Sequence, residues 1–100
     1  MSNVLALITT YNEADSLLGL LHALEDLGIP SLVIDDCSTD GTAQIARQAQ
    51  RFWIPPHRLG IAHCLHIGYH EALKLDFDHL LQIDAGASHD PYQAQRFLDL

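Results

Sequence analysis

Basic residues are scarce in this sequence. The 100 residues include five Lys and Arg against 13 Asp and Glu, which gives a formal net charge of -8 at pH 7. A protein that binds nucleic acid through its phosphates needs a clustered basic surface. Five dispersed basic residues do not supply one, so the composition argues against nucleic acid as a partner.

Cysteines and long apolar runs are also few. Cys37 and Cys64 are the only cysteines and do not form a CxxC pair, so we expect neither a disulfide framework nor a thiolate zinc site. No stretch approaches the ~18 to 20 apolar residues that span a bilayer, and the first residues lack the basic segment of a secretion signal. These absences predict a cytoplasmic location without a membrane span.

Short, continuously apolar runs are present and predict strands that are buried on both faces. The clearest are residues 4–8 (VLALI) and the strand predicted at 31–34, in which the apolar residues LVI follow Ser31. A further strand is predicted at 79–83, ending at Asp84, and a weaker one at 52–54.

Helical patterns separate these strands. The first is predicted to begin after Asn12 as N-cap, to place leucines at 3.6-residue spacing, and to end at Gly28. Others are predicted at about 42–51, within 59–75, and from Pro91 to the last residue.

The alternation of strands and helices predicts a single α/β domain over residues 1–100, with a three-layer, mostly parallel sheet covered by helices on both faces. In such sheets ligands bind beyond the carboxyl ends of the strands. Three polar segments follow strands in the sequence, at 9–13, 35–41 and 84–90. They are the predicted binding segments.

Acidic residues dominate two of these segments. Asp35 and Asp36 follow one strand and Asp84 follows another, so they are expected along one edge of the sheet, where their charges repel unless a cation or hydrogen-bond donors offset them. Mg²⁺ or Mn²⁺ could join a carboxylate to a diphosphate, and Asp36 could accept hydrogen bonds from a base or ribose. The alternative is that these aspartates only cap the following helices.

Four ordered motifs resemble the family 2 glycosyltransferases of the GT-A fold, in particular the dolichol-phosphate-mannose-synthase-like and polyprenyl glycosyltransferase branch. They are TYNEA at 10–14, VIDDCSTDGT at 33–42, the glycine-containing stretch from LGIA at 59–62 to Ala72, and LQIDAGASHDP at 81–91. The resemblance covers nearly the whole chain. It implies the Rossmann-like, nucleotide-binding N-terminal half of such an enzyme, which needs roughly twice this length.

The resemblance also implies roles for individual residues. Thr10, Tyr11 and Glu13 would contact the nucleotide of a UDP- or GDP-linked sugar, Asp35 and Asp36 the base and ribose, and Asp84 the metal and diphosphate. Arg58, which precedes Leu59-Gly60, could reach the diphosphate or be an ordinary surface arginine. The acceptor would be a polyprenyl phosphate at the inner membrane surface. We assign no catalytic base, and we expect Asp36→Ala to abolish nucleotide binding without unfolding the chain.

One departure from the family pattern concerns the metal. The Asp-x-Asp motif appears as Asp84-Ala85-Gly86, so one expected ligand is missing and Mg²⁺ or Mn²⁺ would bind more weakly. An incomplete sheet would also expose an unpaired edge that favours self-association or a partner chain.

Other functions are open at this point. A truncated or degenerate relative could bind nucleotide without turnover. A nucleotidyltransferase would need a Gly-rich phosphate loop after the first strand, and a receiver-like signalling domain would need an aspartate after the third; neither is present. His63, His66 and His70 recur at helical spacing, which could indicate a metal or pH-sensing cluster. The preferred interpretation is exposed histidines on one helix face, because such histidines are common.

Overall fold

The computed structural model describes residues 3–85 and confirms the predicted alternation of strands and helices. The predicted helix from Pro91, together with Gly86, lies outside these residues. The elements in chain order are strand β1 (Val4–Thr10), helix α1 (Ala14–Asp26), strand β2 (Ser31–Asp35), helix α2 (Thr42–Ala46), strand β3 (Arg51–Trp53), helix α3 (Ile61–Leu73) and strand β4 (His79–Asp84).

The four strands form one parallel sheet in the order β3-β2-β1-β4. Successive residues of β1 point to opposite faces, because side chains alternate along a strand. Ala6 and Ile8 join a core with α1 and α2, whereas Leu5 and Leu7 join a second core that includes Cys64 of α3. The predicted α/β fold, with helices on both faces of a parallel sheet, is therefore confirmed.

The strand order determines where a ligand can bind. From β1 the chain proceeds outward through β2 to β3, and α3 then returns it across the other face to β4, on the far side of β1. The order of strands thus reverses between β1 and β4. In doubly wound sheets this switch point leaves a crevice at the carboxyl ends of the two strands, and ligands bind there.

The second helix and the third strand differ from their predicted bounds. Helix α2 ends at Ala46 instead of continuing to Arg51, because Arg51 already pairs with Leu32 in the sheet. The chain must turn between these points, and the amides of Gln48 and Ala49 donate to carbonyls three residues earlier, as in a tight helical turn. Strand β3 therefore begins one residue earlier than predicted.

Helix α3 packs very closely on the sheet at Gly68. A Cβ atom built on this glycine would lie 2.6 Å from Cδ1 and 2.9 Å from Cδ2 of Leu7, a side chain with no exposed surface. Only a residue without a Cβ fits at this distance, so Gly68 sets the separation between α3 and β1.

Several large apolar side chains of α3 and β4 are exposed, namely Ile61, Tyr69, Leu73 and Leu80. Strand β4 has one neighbour within the described sheet, so the prediction of self-association or a partner chain still stands. None of the helices in residues 3–85 is long and apolar enough to cross a membrane.

Candidate functional site

A cleft of about 210 Å³ lies at the switch point between β1 and β4. Its lining includes six of the seven residues that the sequence predicts to bind a ligand. The lining residues are Thr9, Thr10, Tyr11, Glu13, Asp36, Arg58, Ile61, Cys64 and Asp84. Asp35 is the predicted residue that does not line it.

The strand register brings these residues together. Thr10 of β1 is the partner of Asp35 in β2, and Thr9 is the partner of Asp84 in β4. Because all three strands run in the same direction, the residues that follow their apolar runs meet at one edge. The predicted placement of the aspartates at this edge is confirmed.

Asp35 points away from the cleft and holds the loop that follows it. The side chain has no exposed surface, and its two carboxylate oxygens accept hydrogen bonds from the amide of Ser38 at 3.0 Å and from the Ser38 hydroxyl at 2.6 Å. The Ser38 hydroxyl in turn accepts the amide of Asn12 at 2.9 Å. Contact between Asp35 and a base or ribose remains a prediction that this geometry does not support.

Asp36 is bound on both of its oxygens by the loop before α3. Oδ1 accepts the amide of Leu59 at 2.8 Å, Oδ2 accepts the amide of Gly60 at 3.0 Å, and only 4% of the residue is exposed. Burial by itself would raise the pKa of this carboxyl, but the two amides, the Cys64 thiol and the Arg58 guanidinium outweigh it and lower the pKa below 3.8. Asp36 therefore stabilises the folded loop as well as lining the cleft.

This arrangement adds a cost in stability to the prediction that Asp36→Ala abolishes nucleotide binding without unfolding the chain. The substitution would leave the amides of Leu59 and Gly60 without their acceptors, and such a loss costs stability.

Arg58 lies over the ring of Tyr11 at the cleft. The guanidinium carbon is 3.6 Å from the ring centroid, and Nε is 3.5 Å from Oδ2 of Asp36. The arginine side chain is 60% exposed, so solvent weakens the ion pair, whereas contact with the Tyr11 ring restricts the position of the guanidinium. The geometry places a positive charge next to the cleft.

Hydrogen bonds join two loops beside the cleft, the loop after β1 and the loop after β2. Asn12 has a positive φ of 51°, and its side-chain oxygen accepts the amide of Thr39 at 2.8 Å. The predicted N-cap role of Asn12 is wrong. The N-cap residue of α1 is Glu13, and the Glu13 side chain forms no capping hydrogen bond. The Glu13 amide donates instead to the Thr42 hydroxyl at 3.0 Å.

Asp40 adds further hydrogen bonds at these two loops. Its carboxylate accepts hydrogen bonds from the hydroxyl and the amide of Thr42, and these bonds, together with one from the Ala14 amide, lower its pKa. The start of α1 is thus capped by the loop that follows β2, which is distant in sequence.

The Thr10 hydroxyl is a polar atom without a partner. Thr10 is 5% exposed, and its Oγ1 is the buried side-chain oxygen or nitrogen in residues 3–85 that forms no hydrogen bond. Burying an unpaired hydroxyl costs about 1 to 3 kcal/mol. Because Thr10 lines the cleft, its unpaired hydroxyl is a candidate partner for a bound ligand.

Two larger hollows lie elsewhere. One of about 310 Å³ is lined by residues including Gly28 and Ser31, at the amino end of β2, and one of about 420 Å³ lies beside β3. Neither includes a predicted binding residue, and both lie away from the switch point.

Comparison with known proteins decides the family. Residues 6–74 match the family described as glycosyl transferase family 2. The chain belongs to this family. It is also 37% identical, over 105 aligned positions, to an undecaprenyl-phosphate mannosyltransferase of Micrococcus luteus. The alignment covers 96% of this chain and 43% of that relative, so the chain spans less than half the length of the curated relative it matches.

Metal binding by this family 2 chain can be judged from the donor groups at the cleft. No group of three or more His, Cys, Asp or Glu side chains in residues 3–85 could hold a metal ion. Mg²⁺, however, is commonly held by one or two carboxylates together with substrate phosphates and water. Asp84 lines the cleft at the end of β4, and its carboxylate fits a cation that arrives with a diphosphate.

Cys64 is a cleft residue that the sequence analysis did not predict. It is 1% exposed, and burial, together with the nearby charge of Asp36 and a hydrogen bond to it, raises the pKa of the thiol to about 12. Ile61 was missed as well. The only signal for either was its place at the start of the helix after Gly60, since neither residue type carries chemistry specific to this site.

The two cysteines of this family 2 chain should therefore react at different rates. At pH 8, a thiol reagent is expected to modify Cys37, which is partly exposed, and to leave Cys64 unmodified, because a buried neutral thiol is a poor nucleophile. The measurement is a count of modified thiols by mass spectrometry, before and after denaturation. Cys37→Ser should remove the reaction of the native protein, whereas Cys64→Ser should retain it; rapid labelling of Cys64 in the native Cys37→Ser variant would contradict the described packing.

Proposed function

We propose that this chain is the donor-binding domain of a glycosyltransferase and that its cleft holds the nucleotide and diphosphate of a nucleotide-activated sugar. Membership of glycosyl transferase family 2 supports the reaction class. The position of the cleft at the switch point of a doubly wound sheet supports nucleotide binding there.

The observation that carries the proposal is the convergence of the predicted residues on one cleft. Thr10 and Tyr11 come from the end of β1, Asp36 and Arg58 from two later loops, and Asp84 from the end of β4. These residues are up to 74 positions apart, from Thr10 to Asp84, yet they share one wall. A hydroxyl without a partner and a stacked arginine are suitable groups to contact a ribose or base and a diphosphate, respectively.

The roles of the residues follow from charge and position. The Arg58 guanidinium would bind diphosphate oxygens, because its planar fork matches phosphate geometry and Tyr11 restricts its orientation. Asp84 would hold Mg²⁺ or Mn²⁺, and the residue after next, Gly86, supplies no second carboxylate. A divalent cation bound in this way offsets the charge of the leaving diphosphate.

The acceptor is proposed from the relative. The Micrococcus luteus protein is described as acting on undecaprenyl phosphate, which supports a polyprenyl phosphate acceptor here and a location at the cytoplasmic surface of the inner membrane. We assign no acceptor contact and no general base to residues 3–85.

A second candidate is a family member that binds nucleotide without turnover. Gly86 in place of the second acidic residue favours it, because one cation ligand fewer lowers the affinity for the metal. The two candidates share the nucleotide site and differ in whether a sugar is transferred.

Calorimetric titration of the purified chain with UDP and GDP, each with and without Mn²⁺, tests the shared site. We expect one nucleotide to bind more tightly than the other, and Mn²⁺ to strengthen binding through Asp84. Asp84→Asn should remove the effect of Mn²⁺ and retain metal-free binding, with Asp78→Asn as a matched exposed control outside the cleft. Failure of both nucleotides to bind a chain with native circular dichroism would refute the proposal.

Removal of the Thr10 hydroxyl tests more directly whether this group contacts the nucleotide. Thr10→Val removes an unpaired buried hydroxyl, so the free energy of unfolding should rise by about 1 kcal/mol. The same change should weaken nucleotide binding about tenfold, because the ligand loses a hydrogen bond. Urea unfolding and calorimetry measure the two effects.

Thr10→Ser is the control, since it keeps the hydroxyl and should bind nucleotide nearly as wild type does. A valine variant that is more stable and binds nucleotide with unchanged affinity would show that the hydroxyl does not contact the ligand.

A further inference from the structure

Two histidines stand side by side on the solvent face of α3. His66 and His70 are four residues apart, one helical turn, and their ring centroids are 4.6 Å apart in an edge-to-face arrangement. Both residues are exposed. Neither ring forms a hydrogen bond or ion pair with another residue in the described part of the chain.

The buried residues of α3 show which way this histidine pair faces. Cys64 and Gly68 are the buried residues of α3 and face the sheet. His66 and His70 lie on the opposite side, because positions three to four residues apart share a face and those two residues apart do not. The pair is therefore open to solvent and separate from the cleft, which α3 reaches through Ile61 and Cys64.

We propose that His66 and His70 form a bidentate site for a borderline divalent transition-metal ion such as Ni²⁺, Cu²⁺ or Zn²⁺. Imidazole nitrogens suit these ions, whereas Mg²⁺ and Mn²⁺ prefer oxygen ligands. Two histidines at this spacing on one helix face can bind a single metal ion together. Since residues 3–85 contain no group of three or more suitable side chains, water completes the coordination.

The backbone favours chelation at this pair. Both ligands belong to one continuous 13-residue helix, so binding by the first imidazole places the second at a high effective concentration without ordering a loop. The net charge of -8 also attracts cations to the chain. The site is independent of the proposed nucleotide binding, and a failed nucleotide titration leaves it unaffected.

His63 provides a matched control on the same helix. It is exposed like the pair, but its Nδ1 is 3.1 Å from the Leu59 carbonyl oxygen at the start of the helix. It lies seven residues, or two turns, from His70 and three residues from His66. The ring contact in the described part of the chain joins His66 to His70, so the proposal assigns the metal to this pair and not to His63.

The experiment is calorimetric titration of the full chain with NiCl₂, in the presence of excess Mg²⁺ and without thiol reductants. The wild type and His63→Ala should bind one Ni²⁺ per chain with affinities within about twofold of each other. His66→Ala and His70→Ala should each weaken binding about tenfold or more, because a single imidazole of the pair remains. Circular dichroism verifies that each variant is folded, which is expected because all three positions are exposed.

A second readout identifies the ligands directly. With Cu²⁺, electron paramagnetic resonance should show hyperfine coupling to two equivalent nitrogens in the wild type and in His63→Ala, and to fewer in His66→Ala. Unchanged Ni²⁺ affinity in both His66→Ala and His70→Ala, or equal loss in His63→Ala, would overturn the proposal.

Discussion

Asp36→Ala is expected to lower the free energy of unfolding by about 2 to 4 kcal/mol and to abolish nucleotide binding. The carboxylate accepts the amides of Leu59 and Gly60 and pairs with Arg58. Its removal leaves both amides without acceptors and releases the arginine that stacks on Tyr11. Urea unfolding gives the stability, and nucleotide titration at a temperature where the variant is folded gives the binding.

Asp26→Ala is the matched control for this change. Asp26 is exposed at the last residue of α1 and forms no described ion pair, so its replacement should alter stability by less than about 0.5 kcal/mol. An Asp36→Ala variant as stable as Asp26→Ala would mean that the two amides find water or other acceptors, and that Asp36 does not hold the loop.

The dependence of stability on pH gives a second measure of how much the Asp36 carboxylate stabilises the fold. Because its pKa is lowered in the folded state, the unfolded chain takes up the proton first as the solution is acidified. The stabilisation is therefore present above about pH 4 and is lost as the pH falls through the folded-state pKa. Asp40 contributes with the same sign. Asp36→Asn should thus reduce the acid-induced loss of stability without eliminating it.

Gly68→Ala is expected to lower the free energy of unfolding by about 1 to 3 kcal/mol. The new methyl group would lie 2.6 Å from a carbon of Leu7, so α3 must move away from β1 or Leu7 must leave its rotamer. Leu7 has no exposed surface and is surrounded by the core beneath α3. Thermal and urea unfolding measure the loss.

Gly19→Ala, on the other face of the sheet, is expected to have the opposite effect on the free energy of unfolding. Gly19 is in the interior of α1, and a Cβ atom built there meets nothing within 4 Å. Alanine should therefore raise the stability by about 0.5 to 1 kcal/mol, because it favours the helix over the unfolded chain. Equal effects of the two substitutions would show that helix propensity, and not the contact with Leu7, determines the response at Gly68.

The sequence was sufficient to predict the sheet because its strands carry a strong signal. Residues 4–8 and 32–34 are continuously apolar, and almost all of them are buried between helices. The weaker run at 52–54 was displaced by one residue, since its pairing with β2 decides where the strand begins. Helix α2 was predicted too long for the same reason. Boundaries that depend on pairing cannot be read from local periodicity.

The candidate site was predictable in its membership but not in its contacts. Strand ends, together with the resemblance to the family 2 glycosyltransferases, indicated six of the residues that line the cleft. The difference between Asp35 and Asp36 was not predictable, because the two amides that bind Asp36 belong to a loop more than 20 residues later, whereas Asp35 binds Ser38 in its own loop. The prediction of Asn12 as the N-cap was wrong for a related reason. The start of α1 is bound by Thr42 and Asp40, about 27 residues later in the sequence.

The pairing of β1 with β4 affects how the chain folds as it is synthesised. Val4 pairs with His79 and Thr9 with Asp84, so one edge of β1 stays without its β4 partner until residues that lie 75 positions further along the chain have been synthesised. Contacts so distant in sequence slow folding, and unpaired strand edges promote association with other chains. The wall of the cleft that contains Asp84 therefore assembles only after β4 has been synthesised, and a nascent chain that stalls before residue 79 has a β1 edge that lacks its β4 partner.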